Sequence, residues 1–297
     1  MFQILSKETL AKSITKFVIE APYVARKHKA GNFLIIRVND HGERIPLTIV
    51  DSNPDAGTVT IIVQTIGKTT KLLSLQNEGD YLLDVAGPLG NPTPIHGNGT
   101  VVCIGGGVGT AEVYPIARAL KKAGNKLATI IGARSKDLII LENELREISD
   151  RTFITTDDGT YGKKGFVTDA LGEYLQVESG VSSIYAIGPI IMMKAVSDFT
   201  RARGIPTYVS LNPIMMDGTG MCGACRVTVG GNTKFACVDG PEFDGHLVDF
   251  EELMTRNRSY MELERMSVDR FDAEIREGKI SHPVQNPKPK VSEVANA

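Results

Sequence analysis

Thiolates are soft metal ligands, and three of this chain's four cysteines stand on one short stretch, Cys222-Gly-Ala-Cys225 followed by Cys237. Two residues separate the first pair and eleven more precede the third, a spacing that makes a metal site. Residues 226–229 and 233–236, joined through Gly230-Gly231-Asn232, read as a hairpin returning Cys237 to the same spot. The plant-type [2Fe-2S] pattern is Cys-x4-Cys-x2-Cys with a later fourth Cys, and the first ligand position is occupied here by Asp217. The reading is a cluster held by Asp217, Cys222, Cys225 and Cys237. Gly218, Gly220 and Gly223 permit the positive φ values of a loop that turns backbone N–H groups toward sulfur. A structural zinc held by the three thiolates with Asp217 or His246 is the alternative.

A second constellation is Gly105-Gly106-Gly107-Val108-Gly109-Thr110, which follows the apolar run 101–104 and opens an amphipathic helix through Lys122. Strand, glycine turn and helix in that order suit a dinucleotide phosphate, approached by backbone and helix N-terminus. The spacing is Gly-x-Gly-x-Gly rather than Gly-x-Gly-x-x-Gly, so the strand–helix setting carries the reading. Arg134-Ser135, Asp157-Asp158 and Gly188-Pro189 exit later strands at the same edge of the sheet and are candidates for the same nucleotide. Arg134 with Ser135 suits a 2′-phosphate, whereas Asp137 suits free hydroxyls, so NADH and NADPH are not separated. Earlier, Arg44-Ile-Pro46-Leu47-Thr48 sets a cation, a rigid proline and a hydroxyl along one extended strand. Gly67-Lys68-Thr69-Thr70 opens a short helix, where it either offers N–H groups to a phosphate or caps the helix through Thr69 or Thr70.

These residues need three frames. Up to residue 97, short β-rich runs (15–19, 33–38, 45–50, 58–64) between Gly, Asp, Asn and Pro predict an antiparallel barrel. From 98 to 205, strands at 127–132, 151–155 and 183–187 alternate with helices at 141–148 and 166–174, an α/β domain with a doubly wound parallel sheet. A short strand at 206–211 leads into the cluster domain, 206–247. His246 reads as hydrogen-bonded rather than as a ligand. Residues 248–277 read as helical, with apolar points at Phe250, Leu253, Met254, Met261, Leu263 and Phe271, packing on the chain itself or on a partner; 281–297 read as disordered.

With 297 residues and 42% hydrophobic content the chain can bury two or three cores. A net charge of −2, from 33 basic and 35 acidic residues, excludes an electrostatic footprint for nucleic acid or an anionic membrane. No apolar run reaches a membrane span, and the opening residues lack the order of a signal peptide, so a cytoplasmic protein is expected. Cys103, alone outside the cluster stretch, supplies no disulfide framework.

Barrel, dinucleotide domain and iron–sulfur hairpin, in this order and with these motifs, resemble the cluster-bearing branch of the ferredoxin-reductase superfamily over most of the chain. The resemblance implies that Arg44 meets a flavin pyrophosphate and that Pro46, Leu47 and Thr48 lie along the isoalloxazine, Thr48 tuning hydride transfer near N5. It makes Gly67, Lys68, Thr69 and Thr70 a second FAD phosphate contact. It also sets the nicotinamide near Gly188, although Ile187 stands where many members have cysteine. Two families fit: the electron-transfer subunit of dihydroorotate dehydrogenase B, and the small subunit of the electron-bifurcating NADH-dependent ferredoxin:NADP oxidoreductase. Asp217, the segment 240–253 and the long helical tail favour the second. FAD, NAD(H) and a [2Fe-2S] cluster are the implied cofactors. The implied partner is a larger flavin and [4Fe-4S] subunit in a heterodimer that serves ferredoxin and NADP indirectly. A zinc-stabilised nucleotide-binding module without enzymatic activity is the alternative of another class.

Overall fold

The structure, a computed structural model, describes residues 1–40 and 42–280. The first frame is built from β1 (Phe2–Ala11), β2 (Ile14–Glu20), α1 (Pro22–Lys27), β3 (Phe33–Arg37), β4 (Arg44–Thr48), β5 (Asp51–Asn53), β6 (Thr58–Gln64), α2 (Lys68–Ser74), β7 (Tyr81–Leu82) and β8 (Asp84–Leu89). Two antiparallel sheets, ordered β5-β6-β2-β1-β7 and β4-β3-β8, close on a core that includes Ile4, Phe17, Ile19, Leu34, Ile36 and Ile61. Alternation explains the facing: Phe17 and Ile19 of β2 point inward while Lys16 and Val18, which alternate with them, stay half-exposed. The strand β1 was not foreseen. Its sequence, FQILSKETLA, buries only Ile4 fully, and its pairing with β2 rather than its composition makes it a strand.

The second frame follows as β9 (Thr100–Gly106), α3 (Gly109–Lys122), β10 (Lys126–Ala133), α4 (Glu142–Ile148), β11 (Arg151–Thr156), β12 (Lys163–Lys164), α5 (Val167–Val177), β13 (Val181–Ile187), α6 (Ile190–Arg201) and β14 (Thr207–Ser210). The sheet order is β12-β11-β10-β9-β13-β14, parallel throughout, with a further strand beyond β14. The fully buried strands β9 and β10 are near-continuous apolar runs, as a sheet covered on both faces requires. Order reverses at β9, whose neighbours are β10 and β13, so the loop after β9 opens into the crevice where such sheets hold ligands.

The remaining elements are β15 (Arg226–Val229), β16 (Asn232–Phe235), α7 (Ala236–Asp239), β17 (Glu242–Asp244), α8 (Phe250–Arg258) and α9 (Met261–Arg276). β15 and β16 form the expected hairpin. The division at residues 205 and 206 does not follow the sheet, because β14 pairs with β13 and β17 adds to β14 as an antiparallel edge. The cluster stretch is therefore a loop and hairpin inserted between two strands of the nucleotide sheet. The helical segment packs on its own chain. Phe250 and Leu253 of α8 are buried beside the hairpin, and α9 crosses back to the barrel, where Phe271 enters the core and Asp272 pairs with Lys71 of α2 at 2.6 Å. Met261 and Leu263 remain exposed. The disorder expected for 281–297 lies outside the described residues.

Candidate redox site

At the carboxyl end of β9 the chain must turn sharply into α3 while touching β13. A Cβ on Gly109 would stand 2.4 Å from the carbonyl oxygen of Ile187, so no other residue fits there. Gly107, at φ +56°, has nothing within 4 Å of its Cβ position, which leaves an open side on the loop. The Thr110 hydroxyl, at the start of α3, is buried without a hydrogen-bond partner. An open glycine loop, an orphaned hydroxyl and a helix N-terminus together fit a phosphate group. Gly188 lies against Gly106, with a Cβ position 3.0 Å from its Cα, so the 188–189 turn and the phosphate loop are brought together. The outlying candidates are engaged in their own turns. Ser135 donates to Asp137, and the Asp158 carboxylate accepts from the Thr160 amide at 2.9 Å and its hydroxyl at 2.7 Å. Those bonds, the amide first, hold Asp158 below the usual carboxylate range. Backbone bonds from Asp157 to Ala133 and from Asp158 to Arg134 tie the two loops side by side.

The barrel meets this loop where Val108 packs with Ile14, Val50 and Ile62, and β4 is an edge strand of the barrel's smaller sheet. Arg44 is exposed and residues 45–48 are half-buried. Leu47 packs on the barrel core, so Pro46 and Thr48 face the opposite way. At the start of α2, Thr70 closes a reciprocal cap, accepting from the amides of Ile66 and Gly67 at 3.0 Å each and donating to the Gly67 carbonyl at 2.9 Å. Thr69 is buried and donates to Glu43 at 2.8 Å. Both hydroxyls thus serve the protein itself, which leaves the Gly67 side, open at its Cβ position, as the accessible part of that turn.

The cluster loop lies on the barrel. A Cβ on Gly218, at φ +81°, would come 2.9 Å from side-chain atoms of both Ile35 in β3 and Leu89 in β8. The Arg44 charge reaches Asp217, whose carboxylate sits below its ordinary range chiefly because Thr219 donates to it through its hydroxyl and its amide, the latter at 3.0 Å. The Sγ atoms of Cys225 and Cys237 lie 3.2 Å apart, both buried. Two thiolates on one tetrahedral ion with bonds of about 2.3 Å stand roughly 3.8 Å apart, so this pair fits a shared metal with a small displacement. Cys222 is exposed, its thiol lowered by the Ala224 and Asp217 backbone. The structure brings Cys225 and Cys237 together and carries Asp217 and Cys222 on the same loop without closing them around one point; among the described residues no three His, Cys, Asp or Glu form a metal-holding group. The donor set is that of a thiolate-rich centre. His246 is removed from it, bonded to Thr200 at 2.9 Å.

Two carboxyls were missed. Glu112, in the first turn of α3, accepts from Ser210 of β14 with the Thr48 hydroxyl of β4 beside it, and desolvation raises it against the pull of these two hydroxyls. Glu242 of β17 accepts from Thr93 at 2.5 Å while its other oxygen is enclosed without a partner; burial pushes it up to about 7. A first-turn glutamate reads in sequence as an ordinary helix-dipole partner, and nothing in the local pattern marks Glu242.

Residues 212–249 match the family model for the iron–sulfur cluster binding domain of dihydroorotate dehydrogenase B, and residues 103–198 match the oxidoreductase NAD-binding domain. A Thermotoga maritima protein, a homolog of the dihydroorotate dehydrogenase B (NAD(+)) electron transfer subunit, is 51% identical over 91% of this chain and 95% of its own. The electron transfer subunit of Bacillus mycoides is 31% identical over 81% of this chain and 94% of its own. The chain belongs to the dihydroorotate dehydrogenase B electron-transfer subunit family. This electron-transfer subunit is an oxidoreductase component with an NAD-binding domain and an iron–sulfur cluster binding domain on the ferredoxin-reductase fold. A solved chain of an NADH-dependent reduced ferredoxin-NADP oxidoreductase, studied for flavin-based electron bifurcation, is 50% identical with a TM-score of 0.86, covering 91% of this subunit and 98% of that chain. An Amycolatopsis cytochrome P450 reductase, 22% identical over 68% of this chain and 65% of its own with a TM-score of 0.59, shares the fold. Among the described residues no helix is long and apolar enough to cross a membrane.

Proposed function

We propose that this subunit exchanges hydride between NAD(H) and FAD in the crevice between barrel and sheet and passes single electrons through a [2Fe-2S] cluster. The assignment that follows is to the small subunit of a cytoplasmic NADH-dependent ferredoxin:NADP oxidoreductase, bound to a larger flavin and [4Fe-4S] subunit. Bound flavin supplies the conversion of one two-electron hydride into single electrons. Gly105, Gly106, Gly107, Val108, Gly109 and Thr110 hold the nucleotide phosphates, with Gly188 and Pro189 beside the ring and Arg134, Ser135, Asp157 and Asp158 toward the ribose. Arg44, Pro46, Leu47 and Thr48 hold FAD, with Gly67 and the backbone amides of Lys68, Thr69 and Thr70 at its second phosphate. Asp217, Cys222, Cys225 and Cys237 hold the cluster.

The observation that carries this reading is the seat of the cluster loop directly on the barrel sheet, Gly218 against Ile35 and Leu89, next to the strand that carries Thr48. That packing keeps the two redox ends within one rigid contact. The test is anaerobic purification with flavin absorbance, iron and sulfide analysis, and NADH titration. Flavin that NADH bleaches, with two irons per chain, supports the reading; a colourless, iron-free protein overturns it. The dihydroorotate dehydrogenase role is the second reading, favoured by the family model over 212–249. Co-purification decides between them, since a partner that oxidises dihydroorotate selects that role.

A further inference from the structure

Three segments that are distant in sequence converge behind the crevice. Ser210 of the nucleotide sheet donates to the Glu112 carboxylate, and the Thr48 hydroxyl of the barrel stands beside the same carboxyl group. Ser210 stands directly opposite Glu242 in the antiparallel register of β14 and β17, which puts their side chains on one face of the sheet. Glu242 in turn accepts from Thr93 on the link between barrel and sheet, and its second oxygen is enclosed with no partner. The groups facing this pair are Cys103 of β9, Tyr185 of β13 and Tyr208 of β14, all acids or neutral. Neither carboxyl has a lysine, arginine or histidine partner among the described residues. Two neighbouring carboxyls in a desolvated place cannot both carry charge cheaply, so a proton is retained between them near neutral pH. Burial raises both, and a pair that keeps one proton still has one carboxylate able to take another.

We infer that Glu112 and Glu242 form a proton-holding pair for the crevice, Glu112 receiving through the Thr48 hydroxyl the proton left behind when electrons depart one at a time. The inference rests on the proposed exchange of hydride with FAD. The balance is simple: NADH becomes NAD⁺ and releases two electrons and one proton. The electrons leave singly for the cluster. Thr48 passes its own proton to the Glu112 carboxylate and regains one from the crevice, so the Glu112 O–H bond forms as the donor's bond to hydrogen breaks. The added proton neutralises the Glu112 carboxylate, which Ser210 holds on the strand that faces Glu242.

The test is an infrared difference spectrum of the flavin-loaded holoprotein, oxidised against NADH-reduced, in H₂O and in D₂O. Wild type is expected to show a carboxyl band that shifts in D₂O. Glu112→Gln should lose it, Glu112→Asp should restore it at a moved position, and Glu242→Gln should shift it. A spectrum without a carboxyl band, or one whose band persists in both glutamine variants, overturns the inference. Flavin that still bleaches with NADH in such samples leaves the hydride exchange standing, whereas absence of bound flavin removes both. A purely structural role for Glu112 would leave the difference spectrum unchanged.

Discussion

Replacing Glu242 by glutamine should change how stability depends on pH. In the folded chain this carboxyl accepts one hydrogen bond from Thr93 and keeps its second oxygen buried without a protein partner, and desolvation moves it from an ordinary 4.5 up to about 7. The unfolded chain therefore releases its proton first as pH rises. Stability contributed by the protonated form is fully present below about pH 4.5 and is lost progressively up to about pH 7, after which the loss is constant. At about 1.36 kcal/mol per pH unit the full drop is about 3 kcal/mol. Glutamine keeps a neutral acceptor for Thr93 and does not titrate. Its amide adds a donor to the enclosure at a cost of about 1–3 kcal/mol, which is the same at every pH. The diagnostic quantity is thus the change in the difference between the two proteins, measured by urea unfolding of anaerobic samples with matched flavin and iron content. The variant should gain on wild type by about 3 kcal/mol between pH 4.5 and pH 8. Parallel pH profiles would refute the argument, because they would mean that Glu242 titrates alike in both states.

Asp217→Cys should retain a [2Fe-2S] spectrum and move its midpoint potential, since thiolate is a softer ligand than carboxylate; an unmoved potential in redox titration would show that Asp217 is not a ligand. Gly109→Ala should weaken NADH binding at least tenfold by titration, because the added methyl collides with the Ile187 carbonyl 2.4 Å away and must shift α3 from β13; unchanged affinity would remove the loop from the site. Phe271→Ala should cost about 3–5 kcal/mol by thermal or urea unfolding, the range for emptying a fully buried phenylalanine site. Its ring is 3% exposed within the barrel core, and an effect below about 1 kcal/mol would mean that α9 only rests on the surface.

Much of the redox chemistry was legible because it depends on short local patterns. Cys222, Cys225 and Cys237 announce a thiolate centre by spacing alone, and a buried strand, a glycine turn and a helix in succession announce a phosphate loop. The Thr69 and Thr70 hydroxyls were harder to assign, since a helix cap and a phosphate contact use the same residues; in the fold they serve Glu43 and the helix entrance. The division before residue 206 ran through the sheet because no local signal says that a strand after the cluster hairpin will return to pair with β14.

Sequence alone determined the order of the frames and set three cysteines at metal-site spacing, because periodicity and side-chain type act over a few residues. Tertiary structure alone decided that Thr48, Glu112, Ser210, Glu242 and Thr93 would stand together, and that α9 would cross from the hairpin side to seal the barrel. Burial and strand register are set by partners far along the chain. A glutamate's affinity for its proton belongs to the enclosure that folding builds around it, and no stretch of neighbours encodes that.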